Sequence, residues 1–328
     1  MPTELILVIA LALVFDFLNG MRDASNIVAT MISSRAFSPT TALGIATVGE
    51  FIGPFLFGVA VARTIGEDIA ASEVFTLGLI AAALIGAILW NLITWYFGLP
   101  GSSSHALIGG MVGAVLVRAG LGAIRFAGVS KVVIALVVSP VIGFVIGFLL
   151  TRLIYFLVRG ASPRINGFFK RSQMVTALVM AVSHGSNDSQ KTMGIITLSL
   201  MIGGVLPSFQ VPTWVVAVSA AGIAIGTSLG GWRMIRTLGG KFYKIRPLHS
   251  FATQLTSAGV ILAASLFGVP VSISQVVSSA IIGVGSAERA SKVRWSVAED
   301  IVTSWLITIP ASGIIAAVVY WLMESLVG

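Results

Sequence analysis

Long apolar runs, each interrupted by only a few polar positions, cover most of the chain. A helix needs about 20 such residues to cross roughly 30 Å of hydrocarbon. Stretches of that kind lie at 40–62, 74–97, 130–151, 212–232, 247–267 and 300–323, and each predicts one transmembrane helix. Two further apolar regions, 3–38 and 173–206, are interrupted by polar clusters around Asp23 and Asp188. Either would run roughly 50 Å as one straight helix at about 1.5 Å per residue, so each is expected to be broken, tilted or folded into a hairpin. The shorter segments 101–118 and 271–286 follow a Gly-x-Pro and open on several serines, a pattern that suits half-helices or short spans with ordered N-termini.

The polar interruptions recur. "NGMRDASN" around Asp23 pairs with "SHGSNDSQK" around Asp188, "RTIG" at 63–66 with "RTLG" at 236–239, "GLPGSSSH" at 98–105 with "GVPVSISQ" at 268–275, and Pro140 and Gly143 with Pro310 and Gly313. Four landmarks keep their order, at separations of 165, 173, 170 and 170 residues. The chain therefore reads as a duplicated unit: an N-terminal repeat at 1–158, a basic linker at 159–172 and a second repeat at 173–328. If each interrupted region counts as one crossing, a repeat crosses five times, and an odd number forces inverted topology. The expected fold is an all-α polytopic membrane protein of two inverted repeats, with discontinuous helices or re-entrant hairpins and about 10–12 transmembrane elements.

Composition agrees with the pattern. Hydrophobic residues make up 56% of the chain and charged residues 10%, against about 25% charged in soluble domains. The 36 glycines suit helices that pack closely or break within the bilayer. There is no cysteine, hence no disulfide, thiolate metal site or cysteine nucleophile. The net charge of +8 sits in short loops rather than on one solvated face, which argues against a nucleic-acid partner and points to topology. With the stretch 152–171 and its Arg152, Arg159, Arg164, Lys170 and Arg171 in the cytoplasm, fourteen basic residues fall inside and four outside. The positive-inside rule supports that orientation, with both termini outside the cell (inner) membrane. The apolar start, 4–17, has no basic residue before it and reads as a retained part of the core rather than a signal peptide.

Ionisable groups inside membrane segments are costly and by default functional. Asp23 and Asp188 occur in both repeats, each with a polar companion at i+3, Asn26 and Lys191, on the same helix face. Gly20 and Gly185, three residues before each aspartate, are expected to let the helix unwind and free backbone groups for an ion. Ser102, Ser103 and Ser104, with Ser272 and Ser274, begin helices whose N–H groups and hydroxyls suit an anion. A carboxylate beside an anion is repulsive unless a cation or a proton lies between them. A co-transported Na⁺ or H⁺, or the P–OH of hydrogen phosphate, would supply it; sulfate has no such proton at neutral pH. No resident cofactor or structural metal is expected, and Na⁺ is the metal ion that the cation site would take.

"NGMRDASNIVAT", "SHGSNDSQKTMG", "WNLITWYFGLPGSSSHALIGG" and "GVPVSISQVVSSAIIG" resemble the paired signatures of the inorganic phosphate transporter family, especially its bacterial low-affinity branch, over nearly the whole chain. The resemblance implies symport of inorganic phosphate with Na⁺ or H⁺ through an inverted-repeat fold in the lipid bilayer, as a homodimer. Carried over by motif, phosphate would meet Asp23, Ser102, Ser103, Ser104, Asp188, Lys191, Ser272 and Ser274, with Arg22 a further candidate. The coupling cation would meet Asp23, Asn26, Asn187 and Asp188, with Glu50 a further candidate. The chain departs from the family in three places: Arg22 stands where the second repeat has Asn187, Ile273 replaces the middle hydroxyl of the second serine cluster, and Arg63 and Arg236 occupy positions that hold Glu in many eukaryotic members.

Competing readings attach to the same residues. Asp23 and Asp188 could be buried structural partners of Arg22 and Lys191; Lys191 could bind phosphate, balance Asp188, or both. Glu50 is either a cation or proton site or a helix-packing hydrogen bond. Asp16 stands seven residues before Asp23 and so either shares nearly the same face or is solvated near the end of its apolar run, and Trp90, Trp95 and Tyr96 form an interfacial belt. A permease for sulfate, another oxyanion or a metal–phosphate complex would use the same fold. An intramembrane hydrolase built on His105 or His184 would need only one site and would leave the duplication unexplained; a passive channel is the remaining alternative.

Overall fold

The computed structural model describes residues 2–99, 101–230 and 245–327. Helices follow one another as α1 (Thr3–Ser33), α2 (Pro39–Ile52), α3 (Ala60–Glu67), α4 (Leu77–Phe97), α5 (Ser103–Ala119), α6 (Phe126–Leu157), α7 (Ile165–Ile202), α8 (Thr213–Leu229), α9 (Pro247–Leu266), α10 (Ile273–Arg289) and α11 (Trp295–Val327). The described residues contain no strand, only an isolated bridge between Ala70 and Ile124. Local chemistry sets several starts. Pro39 opens α2, where a missing N–H costs nothing, and Ser38 Oγ accepts from the Thr41 amide at 3.2 Å. Thr76 caps α4 and Ser102 caps α5 in the same way, through the amides of Leu79 and His105. Gly98 stops α4 in a left-handed turn at φ 68°.

Five of the six expected spans appear as single helices over their described residues, within a few residues of the expected bounds. The sixth, 40–62, does not. It divides into α2, a short 3₁₀ turn at Gly53–Phe55, and α3, with a bend of 72°. Pro54 and Gly58, the latter at φ 73°, lie in the break, and Gln190 Oε1 accepts the free amides of Val61 and Ala62 at 2.8 and 3.4 Å. Regions 3–38 and 173–206 differ in the opposite sense: α1 runs 31 residues and α7 runs 38 without a break.

Gly20 and Gly185 therefore do not unwind their helices. They admit a neighbour instead: a Cβ at Gly20 would overlap the carbonyl of Ile223 in α8, and one at Gly185 the carbonyl of Glu50 in α2. The same exchange recurs one step along, with Gly53 against the carbonyl of Val182 and Gly226 against that of Phe17. Each contact joins one repeat to the other. Longer packing follows the rule too, for α6 lies on α10 as α11 lies on α5, and α1 on α8 as α7 on α2.

Two large apolar clusters hold the bundle. The first gathers Leu5, Val8 and Phe15 of α1, much of α3, α4 and α5, and Met193 to Leu200 of α7. The second gathers Ala24 to Met31 of α1, Ala177 to Ala181 of α7, and parts of α2, α9 and α10. So α1 passes from the first cluster to the second and α7 from the second to the first, and their polar turns lie in the layer between. Among the described residues, four helices, or five counting the bent pair, are long and apolar enough to cross a membrane. Polar α7 is not among them; every residue from 183 to 200 is buried inside the protein. On the outside, α6 and α11 present Val137, Val141, Leu149, Leu306 and Ile314, the apolar wall a bilayer requires.

Candidate functional site

The polar turns of α1 and α7 face each other between the clusters. Asp188 accepts from Lys191 Nζ at 2.5 Å on one oxygen and from Asn19 Nδ2 at 2.6 Å on the other. The i+3 spacing does put Lys191 beside Asp188, and its ammonium reaches further, donating to Ser104 Oγ at 2.7 Å. Ser104 donates in turn to the carbonyl of Val271 at 2.8 Å, which ties the first serine cluster to the strip of chain that opens the second. On the other side Asn26 donates to Ser274 Oγ, and Ser274 to Asp23 Oδ1, both at 3.3 Å. One ligand atom each from Asp23, His184 and Asp188 lies within 4.8 Å of the other two. Asp23, Asp188, Lys191, Ser104 and Ser274 thus meet in one place, drawn from α1, α5, α7 and α10.

The remaining candidates divide. Ser102 Oγ, besides capping α5, lies 2.7 Å from His105 Nδ1, and Ser103 is buried beside it. Ser272 is buried with an unpartnered hydroxyl and makes no cap bond to α10, so its donor is open. Arg22 turns away towards α4, donating to Asn91 Oδ1 and to the Gly101 carbonyl at 2.7 Å. It braces the approach to α5. Asn187 works likewise at the second repeat: its amide donates to Ser265 Oγ at 3.0 Å and the Val269 carbonyl at 3.3 Å, and its oxygen accepts the Val271 amide at 3.4 Å. Glu50 is fully buried and pairs with His184 Nδ1 at 2.6 Å. Of the two readings of Asp16 the solvated one fails, for the side chain is fully buried where Gly222 of α8 closes over it. Arg63 is exposed and pairs with Glu67 at 3.4 Å, away from this centre; Arg236 and its RTLG motif lie outside the described residues. Trp90 links two helices, donating to Thr308 Oγ1 at 3.1 Å.

Three contributors are not assigned to this site from sequence, although His184 is weighed there for another role. Asn19 bonds Asp188 from 169 residues away, and His184 holds Glu50. Both stand four residues before an aspartate, one turn back on its face, so the repeat itself carried the signal. Asn91, by contrast, is a lone amide in an apolar run, and only packing shows that it meets Arg22.

Chemically the arrangement combines an ammonium, several hydroxyls and two helix N-termini, all suited to an oxyanion, with two carboxylates that need a cation or a proton. A family model described as that of the phosphate transporter family matches residues 19–316. The chain belongs to the phosphate transporter family. A relative named "Probable low-affinity inorganic phosphate transporter" from Rhizobium meliloti (strain 1021) is 46% identical over 315 residues, 95% of this chain and 94% of its own. A relative of the same name from Bacillus subtilis (strain 168) is 41% identical over 325 residues, 98% of this chain and 97% of its own. Among solved structures, one called "The sodium-dependent phosphate transporter" superposes with a TM-score of 0.90 at 27% identity, covering 98% of this chain and 99% of that one. This phosphate transporter family member is accordingly a multi-pass membrane protein, a transporter and not an enzyme. The family supplies the cargo class.

Proposed function

We propose that this protein imports inorganic phosphate by symport with a monovalent cation, Na⁺ or H⁺, through alternating access around the α1–α7 crossing. The observation that carries the reading is the meeting of Asp23 and Asp188 with Lys191, Ser104 and Ser274 in a buried layer. Lys191 and the serine hydroxyls hold the phosphate oxygens, with Ser272 and the N-termini of α5 and α10 adding donors. A cation between Asp23, Asn26 and Asp188 removes the repulsion that two carboxylates would exert on an anion. By linkage, cation and phosphate raise each other's affinity by the same factor. A solved structural neighbour bears the name of a sodium-dependent transporter, which favours Na⁺ among the coupling ions.

The repeats run as 1–158 and 173–328 in inverted senses, with the linker in the cytoplasm. Support comes from the reciprocal packing of equivalent helices and from the opposite order in which α1 and α7 pass through the two clusters. Rocking one repeat against the other would open the layer to each side in turn. The test is uptake of radiolabelled phosphate into proteoliposomes under an inward Na⁺ gradient and separately under an inward proton gradient. Accumulation under at least one gradient, lost in Asp188→Asn, is expected. Uptake that merely equilibrates under both gradients would overturn symport in favour of a passive pathway.

A further inference from the structure

Asp16 sits on α1 about two turns before Asp23 and takes no part in the site just described. Both of its carboxylate oxygens are buried without a hydrogen-bond partner. Its neighbours offer little. From α8 comes Gly222, so close that a Cβ there would stand 3.3 Å from Oδ2, and that helix carries no ionisable residue. From α7 comes the Thr192 hydroxyl, among the described residues the one donor near the carboxylate. The charged groups that face Asp16 are Glu50 of α2 and Asp188 and Lys191 of α7. Each has another partner: Glu50 holds His184, while Lys191 holds Asp188 and Ser104.

An ionised carboxylate with a single hydroxyl near it, in so dry a place, is strongly disfavoured. A bound proton removes that cost and needs no volume, whereas a metal ion would need several oxygen ligands around it. We propose that Asp16 is a proton site of this transporter, distinct from the Asp23–Asp188 centre. The carboxylate takes a proton from the outer solution as the site loads and returns it, as a carboxylate again, to the inner solution as the site empties. Coupling is electrostatic. A neutral Asp16 removes one negative charge from the surroundings of Asp188 and of the anion it helps to hold, so protonation favours phosphate, and phosphate favours protonation. Asn19, one turn after Asp16 and bonded to Asp188, joins the two places. The inference rests on the symport reading.

Wild type and Asp16→Asn in liposomes separate the possibilities. Two quantities are compared: exchange of labelled for unlabelled phosphate at equal pH, and net accumulation under an inward proton gradient without Na⁺. Accumulation is expected to fall about tenfold or more in the variant, while exchange persists and loses its dependence on pH. Accumulation equal to wild type overturns the proposal, and so does a folded variant that loses exchange as well, since Asp16 would then belong to the phosphate path. Wild-type accumulation under a Na⁺ gradient but not a proton gradient removes the proton site and leaves symport standing; accumulation under neither removes both. If Asp16→Asn does not fold, wild type alone decides. A hydrophobic carbodiimide adds a protonated carboxyl across its C=N bond, so mass spectrometry should find Asp16 modified, and less so as pH rises. An Asp16 left unmodified at every pH overturns the assignment.

Discussion

Removing the ammonium of Lys191 while keeping its length and bulk, as in Lys191→Met, isolates what the buried pair contributes. Both side chains of the pair are at most 1% exposed. Without Nζ, Asp188 keeps one donor, Asn19 at 2.6 Å, and Ser104 loses its charged partner. Breaking one half of a buried ion pair costs about 3–5 kcal/mol, because the remaining charge has no compensation. Asp188→Asn leaves the mirror problem, a buried ammonium with only Ser104, at similar cost. The double variant carries neither charge and should cost less than the two singles together, by roughly 2–3 kcal/mol of coupling. Reversible denaturant titration of the purified protein in lipid–detergent bicelles measures all four corners of the cycle. On the proposed function, transport should fail in all three variants, because restoring stability does not restore the missing charges. If the single-variant costs add to within about 0.5 kcal/mol in the double variant, the charges do not compensate each other and the account of this centre is wrong.

Two further expectations follow from contacts. Gly185→Ala must push α7 away from the Glu50 backbone and should destabilise by about 1–3 kcal/mol, whereas Gly44→Ala in α2, with open space around it, should be neutral or stabilise by up to about 1 kcal/mol; thermal unfolding of both variants in one detergent checks the opposed signs. Arg22→Lys cannot reproduce two divergent hydrogen bonds, to Asn91 and to Gly101. It is expected to weaken phosphate affinity several-fold by loosening the start of α5, an effect that a phosphate titration of uptake would show as a raised KM, and an unchanged KM would refute the bracing role.

The sequence made Asp23, Asp188 and Lys191 legible because charge within an apolar run is costly and these positions are repeated. Serine after proline marked the starts of α5 and α10 for equally local reasons. The solvated reading of Asp16 and the expectations about Gly20 and Gly185 failed for a shared reason. Whether a carboxyl is wet, or a glycine bends rather than admits a neighbour, depends on what the rest of the chain places against it. Here α8 covers Asp16, and the carbonyls of Ile223 and Glu50 occupy the room beside the glycines. The break in the 40–62 span was half visible, as Gly53-Pro54 and Gly58, but its repair by Gln190, about 130 residues away, was not.

Hydrophobic period, recurring motifs and intramembrane charge can be read along the chain, and they determined the class of fold and pointed to the two buried aspartates. Pairings such as Asn19 with Asp188, Glu50 with His184 and Arg22 with Asn91 join segments 69 to 169 residues apart. A buried polar group must find a partner, but sequence does not say which one. Only the packing of α1 and α7 between two apolar clusters made that choice.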